Sequence, residues 1–110
     1  AQDDSMAAGA KKAFQDLTDQ AARDRWLSLP FLGCDGVPES GQAWVHSGLL
    51  VATVIVPGNT GQALEALVKA AQTGEMPAER ILTVPASFPS VDKLVAAKRA
   101  TARAQSAARS

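Results

Sequence analysis

At 110 residues, 46% apolar and 20% charged, the chain has the composition of one small globular domain, and its eleven basic and eleven acidic side chains leave no net charge to favour a polyanionic partner. A single cysteine, Cys34, excludes an intramolecular disulfide and a multi-cysteine zinc site, and a single histidine, His46, argues against a histidine-based metal centre. No apolar run approaches membrane-spanning length, the longest being Gly48 to Pro57 with Thr53 inside it.

The first element is a helix. Asp3, Asp4 and Ser5 precede Met6, Ala7, Ala10, Ala13, Phe14 and Leu17, which recur on one helical face, and the acids suit the positive end of a helix dipole. The small residues from Ala7 to Ala10 permit close approach to a neighbouring backbone. Thr18 to Pro30 mixes charges with Trp26 and Leu27 and reads as a helix end and surface connection, with Trp26 packed under a loop.

The stretch around which the rest is arranged follows. Phe31-Leu32-Gly33-Cys34 is a short apolar run that ends in Asp35, Gly36 and Val37-Pro38. A buried strand delivering a carboxylate to an open sheet edge has this pattern, and Pro38, with helical φ already set and no N–H to leave unpaired, starts a short helix to Ser47. The alternative for Asp35 is local hydrogen bonding within a strand-to-helix turn.

Leu49 to Val56 is the strongest strand, apolar nearly throughout and rich in β-branched residues, as expected of a strand covered on both faces of a parallel sheet. Pro57-Gly58-Asn59 breaks it, and Asn59 or Thr60 caps a helix whose Ala63, Leu64, Leu67, Val68 and Ala71 form an apolar stripe ending before Gly74. Ile81-Leu82-Thr83-Val84-Pro85 is a third strand candidate, and a last helix opens at Pro89 or Ser90 through Val91, Leu94 and Val95. Residues 98–110 form a basic, Ala-rich continuation, helical or frayed, which has charge but none of the aromatic residues that nucleic-acid binding would add.

Helix and strand thus alternate, the grammar of an α/β fold built on a parallel sheet. Three strands make a very small version, and Ala1-Gln2 resembles the end of a strand whose beginning lies upstream, so the chain reads as a partial parallel sheet flanked by helices. Processing, or excision from a longer protein, would produce such a start.

Three motifs carry a family resemblance: Ala1-Gln2-Asp3-Asp4-Ser5-Met6-Ala7-Ala8-Gly9-Ala10; Leu32-Gly33-Cys34-Asp35-Gly36-Val37-Pro38-Glu39; and Gly48 with Ala52-Thr53-Val54 and Pro57. In order and spacing they resemble the carboxy-terminal third of type I periplasmic sugar-binding proteins of the ribose-binding group, which serve ABC importers and share their fold with the effector domains of LacI-type repressors. The resemblance covers roughly Ala1 to Val91, within a domain portion of residues 1–97. It implies a fragment of a two-lobed fold, with a sugar or similar polar metabolite held between lobes, an ABC permease as partner of the parent protein, a periplasmic or extracytoplasmic location, no cofactor and no bond chemistry.

By position, the resemblance places ligand contacts at Asp3, where the family commonly has Asn, and at Asp35. Val56 falls where ribose-binding members often carry a cleft Gln, which argues against ribose itself. Ionised carboxylates suit sugar hydroxyls, each charge-assisted hydrogen bond contributing about 1.5–3 kcal/mol. The same two acids could hold a cation or an amine, and Asp3 equally suits a helix cap. Because the two lobes enclose the ligand together, the isolated chain is expected to bind monosaccharides weakly or not at all, and its uncovered apolar faces to drive homo-oligomer formation.

Three other readings are distinct in class. The same domain could sense an effector in a LacI-type regulator, which an accompanying helix-turn-helix would identify. It could be a stand-alone oligomeric interaction domain. As an enzyme it would use Cys34 as nucleophile and His46 as base, but one Cys and one His separated by a helix form no recognised catalytic spacing, so no catalytic residue is assigned.

Overall fold

Helix α1 (Asp4–Gln15) starts because Asp3 is an N-cap: its extended backbone precedes the helix and its Oδ1 accepts from the Met6 amide at 2.7 Å. The computed structural model describes residues 1–108. A second helix, α2 (Gln20–Leu27), occupies the segment expected to be a helix end and surface connection. It forms because Asp19 supplies a fresh cap, accepting from the Ala21 and Ala22 amides at 2.9 and 3.2 Å. Trp26 then stacks on Phe14 with ring centroids 5.1 Å apart, and Phe14 tilts against Phe31 at 6.1 Å, so the two helices share an aromatic seam.

Strand β1 (Leu32–Asp35) leads through a π-helical turn at Pro38–Gln42 into the single turn α3 (Ala43–His46), and β2 (Ala52–Ile55) returns parallel to β1. The register pairs Leu32 with Ala52, Gly33 with Thr53, Cys34 with Val54 and Asp35 with Ile55. Lys11 fixes the loop before β2, donating to the carbonyls of Gly48 and Leu49 at 3.2 and 2.9 Å. Leu50 beside it is 2% exposed and, with Ala7 and Ala52, makes up the buried apolar core.

Helix α4 (Thr60–Thr73) ends at Gly74, whose φ is 72° and whose N–H donates a hydrogen bond to the Ala70 carbonyl. Its Leu64, Leu67 and Val68 are exposed. The third strand does not form at Ile81–Pro85, which is irregular; β3 is Ala86–Phe88 and runs antiparallel to β2. Helix α4 is therefore not a crossover lying on the sheet, and the chain re-enters the sheet at the end it left, which forces the next strand to run backwards. The fold is mixed α/β, a three-stranded mixed sheet in the order β1-β2-β3 flanked by helices, in place of the wholly parallel sheet expected.

Helix α5 (Val91–Ala107) carries the basic continuation as regular helix; Arg109 and Ser110, the end of that expected tail, lie outside the described residues. The sheet is well covered on one face and only partly on the other, where Ala52 is buried. Gly33 and Thr53 point to the helices and are buried, whereas Leu32 and Val54, on the opposite face, are 50% and 41% exposed. The strand expected to be covered on both faces is thus covered only at its start on one of them, where Ala52 is buried and Val54 is not.

Replacing Leu50 by Ala is expected to destabilise the chain by about 3 kcal/mol, the scale for emptying a buried leucine site. Urea unfolding followed by circular dichroism measures it.

Candidate functional site

The carboxy-terminal edge of the two parallel strands is organised by a buried acid. Asp4 is 3% exposed, and its two carboxylate oxygens are separately engaged: Oδ1 accepts from the Thr53 hydroxyl at 2.6 Å and Oδ2 from the Gly36 amide at 2.9 Å. One side chain thereby ties the start of α1 to the end of β1 and the middle of β2. Gly33 and Gly41 have no side chain because a Cβ at either position would overlap the Asp4 carboxylate. The Gly36 carbonyl is held in turn by the Gln42 carboxamide, which donates to it at 2.7 Å.

Gly36 also passes so close to β2 that a Cβ there would lie 2.7 Å from the Ile55 Cα, and its φ is +62°. The residue before it is Asp35, which holds φ at +105°, a conformation that a side-chain-bearing residue rarely adopts. The Asp35 carbonyl accepts from the Val56 amide at 3.1 Å, while its carboxylate is exposed and engages no other described residue. A clamped backbone therefore presents a free acid at the open edge of the sheet.

Of the three residues predicted to form a site, Asp35 and Val56 meet at this edge through a backbone hydrogen bond, and Asp3 caps α1 one residue before Asp4. Asp35 ends β1, Val56 follows β2 and is bonded to Asp35, and Asp3 immediately precedes the acid that holds Gly36. Alongside them, the Ala1 amino group donates to the Leu32 carbonyl at 2.9 Å, so the first residues run beside β1. Asp3 fills the cap role through Oδ1. Val56 is 49% exposed and offers an apolar surface.

Trp44 and His46 lie on the turn between the strands, where His46 meets Phe88 edge-on at 5.2 Å. Cys34 is half-buried on the open sheet face, and no described hydrogen bond joins it to His46. The sequence reading missed Asp4, treating it as one more acid favourable to a helix start. Its signal was present in pieces, as a lone Thr53 inside an apolar strand and as glycines at positions 33 and 41 that leave room for a carboxylate.

A separate groove of about 540 Å³ runs between α4 and the following segment, lined by Ala63, Leu67, Pro77, Ala78 and Ile81 among others. It is apolar and does not include Asp3, Asp35 or Val56. Among the described residues no cluster of three or more Cys, His, Asp or Glu could hold a metal ion, and no helix is long and apolar enough to cross a membrane. Comparison of the chain with protein-family models, with curated proteins and with solved structures found no match.

Asp4→Ala leaves the Thr53 hydroxyl and the Gly36 amide buried without an acceptor, for an expected loss of about 2–4 kcal/mol. Asp3→Ala removes only a helix cap, for about 1 kcal/mol. Parallel denaturant titrations of the two variants check the order, and an equal loss would contradict the separate roles assigned here.

Proposed function

We propose that the sheet edge around Asp35 is a half-site for a sugar or similar small polar metabolite, and that the chain is the carboxy-terminal part of a type I solute-binding protein that captures its ligand between two lobes. In the parent protein the ligand would pass to an ABC permease outside the cytoplasm, without any bond being made or broken. In this reading α1, β1, α3 and β2 contribute to one lobe and α4 to the other, with Val56–Asn59 as a crossing between them.

The observation that carries the reading is Asp35 itself. Folding holds it at a positive φ by clamping Gly36 on its amide and carbonyl sides, yet the carboxylate takes no part in that clamp. Backbone strain of this kind costs about 1–3 kcal/mol and is concentrated at binding and catalytic sites. A fixed, ionised acceptor at the end of parallel strands suits a polyhydroxylated ligand, because each hydroxyl donates a directional hydrogen bond to it. Asp3, one residue from the same clamp, supplies a second carboxylate whose outer oxygen is not used by the cap. Val56 offers an apolar wall, which suits the C–H face of a sugar ring better than its hydroxyls.

Titrating the 15N-labelled chain with a panel of monosaccharides tests the reading by amide shifts. Weak, millimolar perturbations are expected at Asp3, Asp35, Gly36 and Val56, and Asp35→Ala should abolish them. Perturbations confined to other surfaces, or none with any sugar, would overturn the half-site. Asp35→Gly should separate strain from binding: it relieves the positive φ and stabilises the fold by roughly 1 kcal/mol while also losing the ligand response.

A further inference from the structure

We propose that the Asp35–Gly36 peptide is a site of spontaneous aspartate isomerisation, and that the Asp4 carboxylate is the latch that keeps the reaction closed in the folded chain. Asp35 is the only Asp or Asn in the sequence followed by glycine. Glycine has no side chain to hinder its own nitrogen as it approaches the preceding carboxyl group. The Asp35 carboxylate is exposed and engages no other described residue, so the carbon to be attacked is free.

The step balances with water alone. The Gly36 nitrogen gives up its hydrogen and attacks the Asp35 Cγ; an N–Cγ bond forms, the Cγ–OH bond breaks, and the hydrogen and hydroxyl leave as water. Water then opens the five-membered succinimide ring. Addition at Cγ restores aspartate, whereas addition at the Asp35 main-chain carbonyl carbon breaks its bond to Gly36 and leaves an isoaspartyl link through the side chain. The isoaspartyl product carries an extra methylene in the backbone, and the carbonyl that Val56 bonded has become a carboxylate.

In the fold the two reacting groups are adjacent in sequence but held apart. The peptide unit between them is pinned at both ends: its oxygen accepts from the Val56 amide at 3.1 Å, and its N–H donates to the Asp4 Oδ2 at 2.9 Å. Ring closure needs rotation about the Asp35 Cα–C bond, which breaks both hydrogen bonds. Gly36 is buried against Ile55, so its backbone has no room to turn. The nitrogen must also shed its proton, and negative charge developing beside the carboxylate of Asp4, itself 3% exposed, is strongly disfavoured where water is excluded. When the latch opens, Asp35 relaxes from its φ of +105° and the nitrogen reaches Cγ. The rate is therefore set by local opening of this edge.

The proposal is independent of any ligand at Asp35 and is tested on the full chain by incubating it at neutral pH and locating isoaspartate by electron-transfer fragmentation. Isoaspartate should arise at position 35 and, in the folded chain, at least about tenfold more slowly than in urea, because only the opened fraction reacts. Asp4→Ala should bring the rate in buffer close to that in urea. Leu50→Ala, which also weakens the fold but keeps the latch, should stay near the wild type. In the wild type itself the slowing should match the hydrogen-exchange protection of the Gly36 amide, since both require the same N–H to leave Asp4, and this comparison holds even where Asp4→Ala fails to fold. Asp35→Glu, which would have to close a six-membered ring, should remove the product. Equal rates in buffer and urea, equal acceleration by Asp4→Ala and Leu50→Ala, slowing unrelated to Gly36 exchange, or product persisting in Asp35→Glu would each overturn the latch.

Discussion

The Asp4 carboxylate is the constraint on which the ordered part of this molecule depends. A charged group at 3% exposure is costly to bury unless its lone pairs are engaged, and here a hydroxyl from β2 and an amide from the turn after β1 each engage one oxygen. The requirement propagates outward. Glycine is needed at 33 and 41 to make room, Gly36 must turn its amide inward, and Asp35 must then take a positive φ to leave the strand. Removing the carboxylate would remove the reason for Gly33, Gly41 and Thr53 to be what they are.

This arrangement also separates two acids that look alike in the sequence. Asp3 and Asp4 are adjacent and both open α1, but one lies on the surface satisfying a helix end and the other is buried, joining three elements. The exposed acid that remains, Asp35, is the one whose position is most tightly fixed by others and whose carboxylate does least for the fold. Fixed geometry at the backbone and freedom at the side chain are the requirements of a recognition group, since rigidity established by folding is not lost again when a ligand binds.

The two parts of the chain follow different physics. Between Ala1 and Val56, short connections bring α1, α3 and two parallel strands into one layer pair whose core is sealed on the Gly33 and Thr53 side. Beyond Val56 the same local signals are present, an amphipathic helix ended by glycine and a basic helix after it, yet among the described residues their apolar side chains stay largely exposed. The antiparallel return of β3 expresses that difference, because a helix that does not cross the sheet cannot deliver a parallel strand.

Most of the local structure was legible in the sequence, and the exceptions have identifiable causes. Apolar periodicity located α1, α4 and α5, and Gly74 marked the end of α4, because these depend on contacts within a few residues. The apolar run at Ile81–Pro85 had the composition of a strand but lacked a partner strand to bond, and the pairing went to Ala86–Phe88, whose composition announces little. Asp3 and Val56 were named from a family resemblance and Asp35 also from its place at a strand end, and the structure joins Asp35 to Val56 through a backbone hydrogen bond. The burial of Asp4, the partial covering of one sheet face and the direction of β3 were decided only by tertiary structure, because each depends on groups far apart in the chain meeting, or failing to meet, across the same few ångströms.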